Sequence, residues 1–104
     1  MSTAEVTLTR NGNGFTAMLR PVGVLAGRAI ERLVDEVVLM AQQANIVVVN
    51  LVGASVPNSE ALAYALRRPG RLLSGPDQAL LLVGADENLL DELRRQGGDI
   101  DPVN

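Results

Sequence analysis

Hydrophobic and polar positions alternate from the start of the chain. In Glu5 to Arg10, Val6 and Leu8 face one way and Thr7 and Thr9 the other, the period-two pattern of a half-buried strand. Asn11-Gly12-Asn13-Gly14 supplies residues that tolerate positive φ, as a tight hairpin requires. Phe15 to Arg20 returns as a second strand, with Phe15, Ala17 and Leu19 on one face, and Pro21 ends its ladder because it has no N–H to donate. The period then changes. Ile30, Leu33, Val34, Val37, Val38 and Ala41 form a stripe at helical spacing, which predicts a helix over Gly27–Gln43 with Arg28, Glu31, Arg32, Asp35 and Glu36 on its solvated face. Arg32 is placed to pair with Asp35 or Glu36.

Two apolar runs interrupt the amphipathic pattern. Ile46–Leu51 and Ala79–Val83 read as strands buried on both faces, as in a parallel sheet. Pro57-Asn58-Ser59 follows the first run and opens a helix to about Arg68, where Pro69-Gly70 is expected to stop or kink it. Arg71–Ser74 reads as a further short turn. Asp86 caps a last helix to about Gln96, with Leu89, Leu90 and Leu93 inward, Asp91 within reach of Arg94 or Arg95, and Gly97 as its stop. The tail 98–104 is expected to be frayed unless Ile100 docks back. Leu51-Val52-Gly53-Ala54 recurs as Leu82-Val83-Gly84-Ala85, each time between a buried strand and a helix. Two successive right-handed crossovers fit this echo and bring both turns to one edge of the sheet. The predicted order is β-β-α-β-α-β-α: an α/β fold with a mixed sheet, an N-terminal hairpin plus parallel strands, and helices mainly on one face. At 104 residues it makes a single domain, 1–104.

Composition narrows the chemistry. The chain is 47% hydrophobic, yet Phe15 and Tyr64 are its only aromatic residues, so the expected core is aliphatic. It has no cysteine, histidine or lysine; all its basic residues are arginine. Thiolate, imidazole and Schiff-base chemistry and a P-loop are therefore excluded. With a net charge of −3 and scattered arginines, the only small groups being Arg67-Arg68-Arg71 and Arg94-Arg95, there is no basic footprint for nucleic acid. The N-terminus MSTAEVTL has no basic n-region or long apolar run, and no stretch reaches the ~18 apolar residues of a membrane span, so a cytoplasmic protein without direct membrane insertion is expected. Asp99 and Asp101 are too sparse to make a metal site. No cofactor or metal is expected.

Ser59 is the residue best placed for function. It lies at the first turn of a helix, just past the C-terminal end of a central strand, where open α/β sheets place ligand and partner sites. Asn58 is a good N-cap, and Glu60 suits the positive end of the helix dipole. Residue types alone leave two readings open: an ordinary helix start, or a regulatory serine whose phosphate would meet free backbone N–H groups.

The segments around Ser59 resemble those of the STAS domain family (sulfate transporter and anti-sigma factor antagonist). Asn50-Leu51-Val52-Gly53 is similar to the family's Asp-Leu-Ser-Gly-like turn, Asn58-Ser59-Glu60-Ala61 to its Asp-Ser-Ser-Gly-like motif, and Gly23-Val24-Leu25-Ala26 to its Gly-Glu-Leu-Asp segment. The element order from Val6 to Gly97 agrees as well. Asn50, Asn58 and Ala26 replace acidic residues, Glu60 the second serine and Ala61 the glycine. The resemblance implies that Ser59 is the phosphoacceptor. It implies a partner surface drawn from Asn58, Glu60, Ala61, Leu62, Ser55, Val56, Gly23, Leu25 and Ala26, and as partner an anti-sigma factor or serine-kinase-like regulator. An alternative within the family is a non-phosphorylated adaptor subunit of a membrane transporter complex. Enzymatic use of Ser59 is not expected, because the chain offers no histidine or lysine base to activate it.

Overall fold

The structure, a computed structural model, describes residues 5–12, 14–96 and 100–103. The elements follow in the order β1 (Glu5–Asn11), β2 (Gly14–Arg20), β3 (Gly23–Val24), α1 (Arg28–Ala41), β4 (Ile46–Asn50), β5 (Ala54–Ser55), α2 (Ser59–Leu72), β6 (Ala79–Val83), α3 (Glu87–Gln96) and β7 (Ile100–Val103). Five strands form one mixed sheet in the order β1-β2-β4-β6-β7. β1 and β2 are antiparallel, and β2, β4, β6 and β7 run parallel. This is the predicted α/β architecture, with β3, β5 and β7 added.

Register defines the faces. Ala17 lies beside Val47, Val47 beside Leu80 and Leu80 beside Ile100; one step up, Leu19, Val49 and Leu82 repeat the row. All seven of these side chains are buried and belong to one continuous core with Ile30, Leu33, Val34 and Val37 of α1, Leu62 and Leu66 of α2, and Leu89 and Leu93 of α3. Each such valine, leucine or isoleucine contributes ~1.5–3 kcal/mol by leaving water. α2 is the middle helix, packed against α1 on one side and α3 on the other, and it lies over β6 and β7.

The opposite face follows the other parity. Met18, Val48 and Leu81 form a row across β2, β4 and β6. Val48 is buried between its neighbours, Leu81 is half-buried and Met18 is exposed. The Ala79–Val83 run is therefore not fully buried, as expected from its apolar character, but alternates between buried and half-buried positions. An apolar run shows that water is avoided; it does not show how many layers exclude it.

Two further expectations change. α2 does not stop at Arg68 but runs through Pro69 and Gly70 to Leu72, and absorbs the proposed turn at Arg71. Pro69 removes one helical hydrogen bond, yet its ring is almost wholly buried, and burial offsets the loss. Beyond it the last turn is closed by Leu73 N–H donating to Gly70 O at 3.2 Å and by Ser74 Oγ donating to Arg71 O at 2.7 Å. The tail is not frayed over Ile100–Val103: it pairs with β6 from Leu80↔Ile100 to Val83↔Val103. Ile100 docks into the core at 6% exposure, and that burial holds the strand. The stop expected at Gly97, the position of Asp99 and the rest of the tail at 98 and 104 lie outside the described residues.

These contacts make Ile100→Ala costly, by about 2–5 kcal/mol. Asp101→Ala, exposed in the same strand, should change stability by less than ~0.5 kcal/mol. Urea denaturation of the two variants checks this, and equal, negligible effects would mean that the tail does not pair.

Candidate functional site

The C-terminal ends of the parallel strands carry two turns built differently from the same tetrapeptide. After β4, Asn50 Oδ1 accepts from Val52 N–H at 3.0 Å and turns the chain outward. After β6, Gly84 takes φ 78°, which side chains rarely permit. A Cβ at Gly84 would stand 2.8 Å from Val52 Cγ2 and 3.0 Å from Val52 N, so the glycine also lets the two turns touch. Leu51 N–H donates to Val83 O at 2.8 Å and joins them further. The sequence echo thus does place both turns on one edge.

Above this edge sits a small parallel ribbon that the sequence did not reveal. Gly23 pairs with Ala54 and Val24 with Ser55. Gly23 N–H donates to Gly53 O at 3.3 Å and Leu25 N–H to Ser55 O at 2.8 Å. Two-residue strands carry no readable periodicity, which is why pattern alone missed them. The ribbon holds the Gly23–Ala26 segment against the loop that leads to Ser59. It also leaves Val22, Val24 and Val52 exposed at 50%, 59% and 68%, an apolar group at the sheet's edge.

Ser59 is the first residue of α2 and is half-buried. Asn58 caps the helix, its Oδ1 accepting from Ala61 N–H at 3.0 Å. Leu62 N–H closes the first turn on Asn58 O at 3.2 Å. The N–H groups of Ser59 and Glu60 remain without partners inside the helix and point toward its positive end. Ser59 shares a shallow groove of about 300 Å³ with Asn88, Asp91, Glu92 and Arg95 of α3. Three carboxylates, counting Glu60, face one guanidinium there. Arg95 is engaged with Glu92 at 2.9 Å, and Arg94 with Asp91 at 3.1 Å. Gln96 Nε2 donates to Glu60 O at 3.4 Å and ties the end of α3 to the start of α2. Asp86 caps α3 as expected, Oδ1 accepting from Leu89 N–H at 2.9 Å. Arg32 forms no ion pair among the described residues.

The expected partner residues divide by burial. Gly23, Ala26, Ser55, Asn58 and Glu60 are exposed, and Val56, Ser59 and Ala61 are half-buried, all around one edge. Leu25 and Leu62 are corrections: at 1% and 0% exposure they are core residues. Each carries the apolar inward position of its segment, so they support the surface from below. The α3 side chains beside Ser59 were missed because they are remote in sequence; their only signal was the acidic first half of that helix. Among the described residues no three His, Cys, Asp or Glu side chains cluster to hold a metal ion, and no helix is long and apolar enough to cross a membrane.

No family model matches the chain, and no curated protein matches it. Comparison by fold does find a likeness: the sheet and helices have a STAS-like arrangement. Among solved structures the chain is similar to the anti-sigma factor antagonist SpoIIAA in its unphosphorylated form, with a TM-score of 0.68 and 16% identity over 96% of this chain and 88% of that one. The mixed sheet expected from the element pattern is the sheet observed.

The capping bond sets an expectation for stability. Asn58→Ala should cost about 0.5–2 kcal/mol, whereas Asn58→Asp keeps the acceptor and should stay near the parent. Thermal and urea midpoints of both variants measure the difference; equal losses would mean that the Ala61 N–H bond contributes nothing.

Proposed function

We propose that this chain is a non-catalytic, cytoplasmic protein-binding domain of the anti-sigma factor antagonist type, switched by phosphorylation of Ser59. The observation that carries the reading is the position of Ser59: a half-buried serine at a helix N-terminus, on the edge that also exposes Val22, Val24 and Val52. The fold likeness to an anti-sigma factor antagonist supports the partner class, an anti-sigma factor or a serine-kinase-like regulator. Absence of histidine, cysteine and lysine from the sequence supports a binding role over catalysis. Apolar side chains of this edge would supply the buried centre of the contact, with Asn58, Glu60 and Ser55 at its polar rim.

Phosphorylation would add about −2 charge beside Glu60, Asp91 and Glu92. Free N–H groups at the helix start favour an anion by ~0.3–1 kcal/mol, and the carboxylates oppose it. These effects nearly cancel in the isolated domain. At an interface the added charge must also lose water, which costs several kcal/mol unless the partner answers it. The switch would therefore act on binding and leave folding intact.

The same carboxylates favour a second reading, a non-phosphorylated adaptor subunit of a membrane transporter complex. In it the Ser59 edge binds constitutively, and Glu60 stands where a second serine would be.

A partner is first identified by pull-down from source lysate and then titrated with both Ser59 variants. Ser59→Asp should weaken the complex by about tenfold or more, equivalent to ~1.4 kcal/mol, while Ser59→Ala keeps parental affinity. The thermal midpoint should move by no more than ~4 °C in either variant. Equal affinities, with no phosphate on Ser59 in cells, would retire the switch in favour of the adaptor reading.

A further inference from the structure

The two edges of the sheet are protected unequally. β7 is short, and its Pro102 has no N–H to offer. β1 is seven residues long, with no proline, glycine or lysine. It stands at the end of the strand order, with β2 as its one neighbour among the described residues. Long edge strands without such blunting are templates for further pairing. Its register with β2 settles which groups are free. Asn11 pairs with Gly14 across a two-residue connection in which Gly12 has φ 45°. Such a connection is closed by a hydrogen-bonded pair, so by alternation Thr9, Thr7 and Glu5 bond to β2. Val6, Leu8 and Arg10 then turn their N–H and C=O groups to the open edge.

The side chains agree with the backbone. Val6 lies beside Leu19 and Leu8 beside Ala17, on the face where the core lies. Leu19 and Ala17 are fully buried, whereas Val6 and Leu8 remain 47% and 45% exposed. The core layer thus continues onto β1 without a cover.

We propose that β1 is a self-pairing edge, through which two copies of this chain associate antiparallel about a two-fold axis normal to the sheet. The pattern Val6-Thr7-Leu8 reads alike in both directions. Centred on Thr7, the pairing sets Val6 opposite the partner's Leu8 and Thr7 opposite the partner's Thr7. Residues facing each other then lie on the same side of the joint sheet, as a pleated pair demands. Val6 and Leu8 exchange their free backbone bonds with the partner's Leu8 and Val6, and the apolar side chains cover each other. Charge favours the same direction. In this register Glu5 stands opposite the partner's Thr9, which is uncharged, whereas parallel strands in register would set Glu5 beside Glu5 and Arg10 beside Arg10. One strand from each copy buries less than the ~800 Å² per partner of a standard stable interface, so the association is reversible.

The register has a direct test, because the chain has no cysteine of its own. Thr7 would face the partner's Thr7 in a non-hydrogen-bonded pair with Cα atoms ~4.5 Å apart, within disulfide reach. Under mild oxidation Thr7→Cys should form a covalent dimer at least about tenfold faster than Asp101→Cys on the other edge, because association raises the local thiol concentration. Sedimentation equilibrium of the parent should show an average mass that rises with concentration from that of one chain toward that of two. Leu8→Lys should hold the mass at one chain, with an unchanged thermal midpoint, because its stem still covers the strand. A parental mass that stays at one chain across the concentration range, or Thr7→Cys crosslinking no faster than Asp101→Cys, overturns the proposal.

Discussion

The structure depends on one layer of aliphatic side chains, the contact of Ala17, Leu19, Val47, Val49, Leu80 and Leu82 with the three helices. No aromatic ring takes part in it and no charged side chain is buried in it. Branched and small side chains must therefore fill the space by interlocking, which fixes strand register: a slip by one residue would turn every one of them to the uncovered face. The helices also pack on one another, with α2 between α1 and α3. Each is amphipathic and marginal alone, and each becomes stable by covering this layer.

That dependence explains what could be read in advance. The strands Ile46–Asn50 and Ala79–Val83 were legible because apolar β-favouring runs stand out from helical spacing. Gly27–Gln43 was legible because its stripe is regular, and the observed helix Arg28–Ala41 differs only at the ends. The uncovered face of Leu81 was not legible, since sequence reports hydrophobicity and not the number of layers. Neither was the path of α2 through Pro69, where burial outweighs a local preference. The final strand holds an aspartate and a proline in four residues, and its single strong signal, Ile100, has meaning only once β6 is beside it.

At the candidate site the same division holds. Asn58 and Ser59 were legible because capping is a local chemistry written in adjacent residues. Asp91, Glu92 and Arg95 reach Ser59 only through the packing of α3 on α2. Leu25 and Leu62 were assigned to the partner surface through the family resemblance of their segments, yet each holds the apolar register of its own segment. The site is thus a thin polar and apolar skin over the core, held by backbone bonds of the β3–β5 ribbon and by the meeting of Val52 with Gly84.

The strand order β1-β2-β4-β6-β7 has a consequence for how the sheet is made. Spatial order follows chain order, so every strand of the main sheet joins at the growing edge and none must be inserted between two already paired. Synthesis from the N-terminus can therefore deposit the sheet strand by strand, the hairpin first through local contacts and each crossover afterwards. Until Ile100–Val103 leaves the ribosome, β6 presents a bare parallel edge. The outermost strand β7 thus closes the assembly, and a chain released before it would carry its most apolar strand unguarded.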